Sequence, residues 1–287
     1  MFNNHEFNSF MTHNKLLLSI CLFFSLFHLE CDAQTRSRAE KYRTIDRCRI
    51  QCVYEHYVYD PVLDRSQIED ELLEIGHTNS RYCIYARYQR DSVMAKDYPN
   101  GLPFEEYSKL GDKFGRMSLD EMIKDRAKNT ITSFEHILMD HYIFEEPTPD
   151  FNWSLSDETE EICKYNCKKA TSSFRGRNWT AWYTEEIPIT EGPWKFGGLP
   201  GLILKVEDDK KEHIMEALQV RKHDSDISYF IRSFLIKTDR EKYNEMYKEF
   251  RTNAGSFLSG SPNMPKKADG SPAIGNKRLF FNPLELE

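Results

Sequence analysis

The cysteines are the residues whose type and spacing first suggest covalent chemistry. Seven are present: Cys21, Cys31, Cys48, Cys52, Cys83, Cys163 and Cys167. The first two lie in an apolar N-terminal segment that we expect to be removed. Cys48 and Cys52 are four residues apart, and so are Cys163 and Cys167. On a strand such residues lie about 13 Å apart at ~3.3 Å per residue, which exceeds the roughly 7 Å between Cα atoms that a disulfide tolerates.

Neither close pair can therefore form a disulfide within itself if both lie on strands. In an oxidising compartment disulfides are favoured over zinc sites. We predict disulfides between the two segments, for example Cys48 with Cys167 and Cys52 with Cys163, with Cys83 left free; the connectivity stays open. The alternative is a tetrathiolate metal site, which is disfavoured because the spacing is not the usual two-residue gap. No metal and no cofactor are predicted.

Two histidines beside an aspartate, His136 and His141 around Asp140, come nearest to a metal-binding pattern. We predict one strand over residues 137–144, and residues five apart on a strand point to opposite faces. The two imidazoles would then be unable to share a metal ion. No HExxH motif is present, and the other histidines are scattered, as is typical of structural or solvated side chains.

The sequence lacks the local motifs of common nucleophiles and phosphate sites. There is no GxSxG elbow, and the stretch GGLPGLILK lacks the ending of a phosphate loop. Glu185 and Glu186 are adjacent carboxylates, as are Asp208 and Asp209. Adjacent residues on a strand face opposite ways, so we interpret these side chains as a charged surface and predict no catalytic residue.

Aromatic residues concentrate between Trp179 and Glu207, in WTAWYTEEIPITEGPWKFGGLPGLILKVE. Trp182, Trp194 and Phe196 are the candidate binding residues, because aromatic side chains beside a rigid corner can line a groove for an apolar ligand or an extended peptide. The alternative is that they form the core beneath that corner, since large aromatics dominate ordinary cores. We favour the core interpretation.

The corner itself is Leu199-Pro200-Gly201-Leu202, which fits a type II turn. Proline presets φ for the second position of such a turn, and glycine takes the positive φ of the third. This turn has the wrong twist for a two-residue hairpin. We therefore predict that it redirects the chain into a new strand over residues 202–207.

This stretch also carries a resemblance to a known family. GPWKFGGLPGLILKVED, with CKKA, FRGR and AWYTEEIP upstream, resembles the GLPGLI family of secreted proteins from Bacteroidetes, named for the hexapeptide Gly198–Ile203. The similarity extends more loosely to LLEIG with residues 80–82, to FNWSL at 151–155 and to the terminal FNPLEL. The resemblance implies secretion and assigns no activity, substrate or site residue.

Residues 1–33 are typical of a secretory signal peptide. The 12-residue apolar run Leu16–Phe27 follows Lys15 and is too short to span a bilayer. Small residues before Gln34 predict cleavage there, with Met1 or Met11 as the initiator. Cys31 raises a lipoprotein as the alternative, which the preceding Glu30 disfavours. We expect an exported protein, located in the periplasm, in the outer envelope or outside the cell.

The rest of the chain limits the partners and the domain organisation. Loss of the leader changes the formal charge from -7 to -5 by removing one positive and three negative charges, and a mildly acidic chain has no electrostatic footprint for nucleic acid. No later apolar run is long enough for a transmembrane helix. We predict one β-rich domain over 34–259, with an irregular excursion at about 92–129, and a mobile loop and C-terminal tail over 260–287.

Alternating apolar residues predict a mainly β or α+β fold, a curved antiparallel sheet that resembles an open half-barrel, with a C-terminal helix packed on it. Capping boxes predict helix starts at Ser118–Glu121 and Thr238–Glu241. The second helix would present one apolar stripe of Tyr243, Met246, Tyr247 and Phe250. The predicted strands are residues 45–60, 68–75, 81–89, 137–144, 161–170, 178–184, 202–207 and 213–221. The polar residues 208–211 predict that the last two form a hairpin.

These features favour a non-enzymatic envelope protein that binds an unknown protein or an apolar ligand in a groove of the sheet. One alternative is a secreted hydrolase whose catalytic residues come from distant positions and leave no local motif. A purely structural envelope component is the other alternative.

Overall fold

The computed structural model describes residues 42–115, 118–232, 234–259, 267–268, 270 and 277–287. The predicted leader, residues 1–33, lies outside these ranges, as does most of 260–278. The described residues divide into two compact units, of which 91–115 belong to the smaller and the others to the larger. In the smaller unit Met94, Leu102 and Leu110 form an apolar cluster.

The described part of the chain is mostly β-structure, as predicted. Its strands are β1 (Tyr42–Arg47), β2 (Ile50–Asp60), β3 (Arg65–Ile75), β4 (Asn79–Ile84), β5 (Glu121–Asp125), β6 (Thr130–Ile137), β7 (Asp140–Pro147), β8 (Ser154–Ile162), β9 (Tyr165–Phe174), β10 (Arg177–Thr184), β11 (Leu202–Asp208), β12 (His213–Lys222), β13 (Asp226–Phe230) and β14 (Ile236–Lys237). Its helices are α1 (Tyr85–Asp97), α2 (Phe104–Phe114), α3 (Arg240–Thr252) and α4 (Ala254–Ser259).

Twelve of these strands form one open sheet in the order β14-β7-β6-β5-β4-β3-β2-β12-β11-β10-β9-β8, and β1 pairs with β13 separately. Neighbouring strands in the large sheet are antiparallel except β14 and β7, which are parallel. Strands adjacent in sequence mostly pair with each other because short turns join them, and the predicted hairpin of β11 and β12 is confirmed.

Two tight turns correct the predicted strand boundaries. Ile137 pairs with Asp140 across Leu138 and Met139, so the predicted strand 137–144 is wrong and spans a hairpin turn. The predicted strand 161–170 likewise spans the turn at Cys163 and Lys164, whose φ angles are 53° and 69°. Two successive positive φ angles suit the right-handed twist of a two-residue hairpin. Without glycine or asparagine there, alternation alone did not reveal these turns.

Two further predicted elements differ from the structure. The predicted strand 81–89 ends at Ile84, where α1 begins. The helix predicted from the capping box at Ser118 is wrong, because β5 begins at Glu121. Here the Ser118 hydroxyl accepts a hydrogen bond from the backbone of Asp120 at 3.1 Å, and such a local bond competes with helix formation.

The C-terminal helix is confirmed. Asp239 caps it by accepting a hydrogen bond from the Lys242 backbone at 2.9 Å. Tyr243 and Phe250 are buried against Tyr142 and Phe144 of β7. An amphipathic helix thus covers part of the sheet, as its stripe of apolar residues predicts.

The predicted type II turn at Leu199–Leu202 is wrong, although glycine is required there. The positive φ of this stretch belongs to Gly198, at 82°, and Gly201 has none. A Cβ at position 201 would collide with the carbonyl oxygen of Thr184. Close approach of two backbone segments, and not a left-handed conformation, therefore accounts for Gly201.

Among the described residues, no helix is both long and apolar enough to cross a membrane.

Candidate functional site

Residues 185–201, here called the corner loop, connect β10 to β11 across one face of the sheet. Ile187 and Leu199 are buried in the core. The loop is tied to the start of β11, because Leu202 donates a backbone hydrogen bond to Ile187 at 3.0 Å and Ile203 donates one to Glu191 at 2.9 Å. The loop is therefore a fixed part of the core.

A buried ion pair anchors the centre of the corner loop. Lys124 Nζ lies 3.0 Å from the Glu191 carboxylate and also donates to the carbonyl oxygens of Gly192 at 3.1 Å and Phe196 at 2.9 Å. Arg126 donates to the same carboxylate at 2.8 Å. Burial alone would raise the pKa of Glu191, but the two cations outweigh burial and hold it below its usual value. The carboxylate is thus ionised and matched by charge.

In the chain, Trp194 lies between Gly192 and Phe196, whose carbonyl groups Lys124 binds. Its φ is 47°, a left-handed conformation that is costly for a bulky residue and often marks a functional position. The turn around it is closed by a hydrogen bond from the Phe196 backbone to Pro193 at 3.0 Å. Trp194 is half-buried, and its position is imposed by the loop.

Trp194 forms one wall of a cavity of about 200 Å³. Strand register explains the composition of the cavity, because Tyr82 is opposite Met122 and Met122 is opposite Ser133. Side chains alternate between the two faces of a sheet, so Glu135, two residues after Ser133, is on the same face as Ser133. Tyr82, Met122 and Glu135 therefore share a face. The lining residues are Glu71, Tyr82, Cys83, Ile84, Ser118, Asp120, Glu121, Met122, Glu135 and Trp194.

Four of these lining residues are acidic, but Glu121 belongs to the opposite face of the sheet. Its carboxylate is bound there by Arg81 at 2.8 Å and by Arg232 at 2.8 Å. Glu71, Asp120 and Glu135 remain as the acidic groups of the cavity. Within the described residues, neither lysine nor arginine lines it.

Asp120 is paired with a histidine. The His136 Nδ1 atom lies 2.6 Å from an Asp120 oxygen, and Ser118 donates a short hydrogen bond to the other oxygen. The hydrogen bond with Asp120 raises the pKa of His136. His136 therefore offsets part of the charge of Asp120.

The prediction that His136 and His141 face opposite ways is wrong. They are directly opposite each other on β6 and β7 and so share a face, because the chain reverses between them. The described residues nevertheless contain no group of three or more metal-ligating side chains arranged to hold a metal ion.

Glu135 holds its proton much more tightly than an ordinary glutamate. Its side chain keeps some exposed surface, yet protein surrounds the carboxyl group densely. Burial is the largest cause of a pKa well above the ordinary value, and the charge of Asp120 adds to it. Lys195 and the Tyr243 hydroxyl act in the opposite direction without cancelling the shift. Burial and the charge of Asp120 thus favour the protonated form of Glu135 in the cavity.

Glu71 is the end of a buried hydrogen-bonded chain. Tyr82 donates a short hydrogen bond to it, and His56 Nδ1 lies 3.2 Å from the same carboxylate. His56 Nε2 lies 3.2 Å from His213 Nδ1. Burial, with the nearby His56 and Arg177, lowers the pKa of His213 to about 2, so this histidine is neutral. Glu71 is therefore fixed in orientation by partners behind it.

The predicted binding residues have three different environments. Phe196 is completely buried and contacts Trp179 with ring centroids 4.9 Å apart. Trp194 is 5.3 Å from the Phe196 ring and also lines the cavity. Trp182 is half-buried beneath Lys169, whose Nζ is 5.8 Å from the ring centroid, and it does not line the cavity.

The acidic residues of the cavity were missed by sequence reasoning. Glu71, Asp120 and Glu135 come from β3, from the residue before β5 and from β6, so no short spacing joins them. The one local signal, a serine two residues before Asp120, was interpreted as a helix cap. Only the strand register brings these carboxyl groups together.

A larger cavity of about 480 Å³ lies between α3 and the residues near the C-terminus. Two of its lining residues form an ion pair with each other, since Arg240 lies 2.9 Å from Glu285. Asn282 holds the same segment to β2 by donating to the Tyr59 carbonyl at 2.7 Å. We interpret these contacts as the attachment of the C-terminal residues to the sheet.

All five cysteines in the described residues are free thiols. Cys163 is in a hairpin turn and Cys48 lies between β1 and β2, so the assumption that each pair lies on one strand is wrong. Cys52, Cys163 and Cys167 belong to one apolar cluster, which does not include Cys48. Burial raises the pKa of Cys48 to about 12, which makes it a poor nucleophile.

Comparison with known proteins finds similar solved structures and a matching family model. No curated protein matches this one. Two structures of PNGF-II, in the P21 and C2 space groups, are similar at 16% identity with a TM-score of 0.47 and cover 71% of this chain. The chain spans about a third of the length of those structures, 34% and 33%. The model of a Bacteroidetes-associated family, described as "Protein of unknown function (Porph_ging)", matches residues 174–205, which include the corner loop.

Proposed function

We propose that this chain is an exported binding protein that captures a positively charged side chain of a peptidic partner in the cavity beside Trp194. The observation that carries the proposal is the meeting of Glu71, Asp120 and Glu135 in one cavity walled by a tryptophan. Export is supported by the apolar run at residues 16–27.

The charge of the cavity favours a cation. Its lining residues include carboxyl groups and, among the described residues, no lysine or arginine. An opposite charge that enters a partly enclosed site interacts more strongly than it does in water. The Trp194 ring already has the Lys195 Nζ atom 5.0 Å from its centroid, and a ligand cation that contacts the same ring would gain a cation–π contribution of about 0.5–2 kcal/mol.

The size of the cavity favours a side chain over a whole peptide. A volume of about 200 Å³ is smaller than the roughly 300–1,000 Å³ of sites that enclose a drug-sized ligand. An aminoalkyl group such as the lysine side chain suits this space. The rest of the partner would then lie outside the cavity.

The site is also ready to bind without rearrangement. The Lys124 contacts hold the turn that carries Trp194, and the His56 contact holds Glu71. Fixed binding groups lose little conformational entropy when a ligand arrives. This rigidity favours selective recognition of one type of side chain.

The test measures binding of a capped Gly-Lys-Gly peptide by isothermal titration calorimetry. We expect saturable binding, no binding of the matched peptide with acetyl-lysine, and at least about tenfold weaker binding by Asp120→Asn. Glu145→Gln is the matched control, because Glu145 is an exposed carboxylate of the neighbouring β7 and lies outside the cavity. Equal affinity for the charged and the acetylated peptide would contradict the proposal.

A second candidate function is acid–base hydrolysis, which one specific observation favours. Burial and the charge of Asp120 raise the pKa of Glu135, and carboxyl groups whose pKa values are driven apart by their surroundings can act as acid and base. Chromogenic ester, amide and glycoside substrates test this function. Turnover that is lost in both Asp120→Asn and Glu135→Gln, and retained in Glu145→Gln, would support it over binding alone.

A further inference from the structure

We propose that Glu135 exchanges its proton for the cationic group of the ligand, so that its carboxyl group is protonated in the empty cavity and ionised in the filled one. This inference rests on the proposed function and adds the number of protons that ligand binding releases. It identifies Glu135 as the residue that adjusts the charge of the site to the ligand.

The geometry supplies the first step. Glu135 on β6 and Asp120 before β5 line the same cavity, and the charge of Asp120 acts directly on Glu135. Two carboxylates in one partly enclosed site repel each other, and one of them keeps a proton to relieve the repulsion. Asp120 already has His136 and Ser118 as partners, so the proton belongs on Glu135.

The other charged and titratable groups around Glu135 do not remove the need for that proton. Tyr243 of α3 approaches it with a hydroxyl group, which leaves the charge of the site unchanged. Lys195 and Arg232 act on it, but Lys195 is bound to Glu285 at 2.5 Å and Arg232 to Glu121 at 2.8 Å. The groups that act on Glu135 are thus Asp120, which is bound to His136, and Tyr243, Lys195 and Arg232, with Glu71 and Tyr82 in the same cavity lining.

A cation in the cavity changes this balance. It stabilises an ionised Glu135 as an opposite charge within a few ångströms. The carboxyl O–H bond then breaks, its electron pair stays on the oxygen, and the proton passes to the buffer. The bound state contains the ligand cation and one additional carboxylate, so the charge of the site is balanced without a further ion.

This exchange defines the class of ligand more narrowly than the proposed function does. A group that is cationic at every relevant pH, such as an ammonium or guanidinium group, displaces the proton. A neutral group of the same shape leaves the proton in place and lacks the carboxylate partner. Affinity for the cation should therefore increase as pH rises, by about tenfold per pH unit while a full proton is released.

Calorimetry in buffers of different protonation enthalpy tests the inference with the capped Gly-Lys-Gly peptide, at several pH values between about 5 and 8. Where Glu135 is protonated in the free protein, we expect release of about one proton per peptide bound. Glu135→Gln should bind the peptide with no proton release, because Asp120 and Glu71 remain. Glu145→Gln should behave as the parent protein does.

His136, which is bound to Asp120 of the cavity, is the other group whose proton a cation can displace, and His136→Gln separates the two sources. Retention of proton release in His136→Gln supports Glu135 as the source. Release that is lost in His136→Gln and retained in Glu135→Gln overturns the inference. Binding without proton exchange at any pH overturns it and leaves the proposed function intact, whereas absence of binding at every pH overturns both.

Discussion

The Lys124 ammonium group lies 3.0 Å from the Glu191 carboxylate beneath the corner loop, and both side chains are almost completely buried. The same ammonium group binds the carbonyl oxygens of residues 192 and 196. One cation therefore connects β5 to the backbone on both sides of Trp194. The pair holds the cavity wall in its left-handed conformation.

Replacing Lys124 with methionine should destabilise the protein by about 3–5 kcal/mol, because removing one partner leaves a buried charge with less compensation. Urea denaturation measures this loss. The exposed pair of Lys168 and Glu185, 2.8 Å apart, provides the control, and Lys168→Met should cost less than about 1 kcal/mol. Equal losses for the two variants would refute the anchoring role of Lys124.

Gly201→Ala should destabilise the protein more than Gly198→Ala does. A methyl group at 201 collides with the backbone at Thr184, whereas one at 198 meets open space. At 198 the cost is that of a left-handed conformation, about 1–2 kcal/mol, whereas at 201 the backbone at Thr184 must move to admit the methyl group. Thermal unfolding of the two variants gives the order, and the reverse order would mean that close contact with Thr184 does not account for the need for glycine at 201.

Phe196→Ala should cost about 3–5 kcal/mol, as expected for a fully buried aromatic residue. Trp194→Ala should cost less, because Trp194 is half-buried, and it should reduce binding of the lysine peptide. Chemical denaturation and calorimetry on both variants separate the two roles. A Trp194→Ala protein with unchanged affinity would exclude this residue from the site.

Glu135→Gln should change how stability depends on pH. The folded-state pKa of Glu135 is well above 4.5, so its contribution to stability is complete below the unfolded pKa and is lost as pH rises through the folded pKa. The variant lacks this loss and should gain stability relative to the parent as pH increases from about 5 to 8. Urea titrations across that range measure the difference, and parallel curves for parent and variant would show that Glu135 has an ordinary pKa.

Non-reducing peptide mapping of protein from an oxidising compartment tests the thiols. The sequence suggested two disulfides, Cys48 with Cys167 and Cys52 with Cys163. We expect the second, because Cys52 and Cys163 lie in one apolar cluster and interact with each other. Cys48 lies outside that cluster and should remain reduced. A disulfide between Cys48 and Cys167 would require a different position for the β8–β9 hairpin.

The sequence predicts an element of this fold correctly where the residues that stabilise the element are close together in the chain. Helix α3 was predicted because its cap and apolar stripe lie within one segment. The hairpin of β11 and β12 was predicted because a polar turn separates two alternating runs. Local patterns are sufficient for such elements, since the groups that stabilise them are close in sequence.

The turns at Leu138–Met139 and Cys163–Lys164 show where local patterns are insufficient. Their side chains are ordinary for strands, and only pairing with the adjacent strand imposes the positive φ values at Leu138, Cys163 and Lys164. Because one strand was predicted across the turn at Leu138–Met139, His136 and His141 were placed on opposite faces. Tertiary pairing decided these boundaries because a two-residue turn need not interrupt the alternation.

The sequence by itself determined a mostly β chain with one amphipathic C-terminal helix and marked Trp194 and Phe196 as aromatic residues at a structural corner. Only the tertiary structure decided that Phe196 is core while Trp194 lines a cavity. It also brought together Glu71, Asp120 and Glu135, which are separated by 49 and 15 positions in the chain. The register of β3, β4, β5 and β6 places these three residues in one cavity. Register depends on the pairing of whole strands, which no single segment encodes.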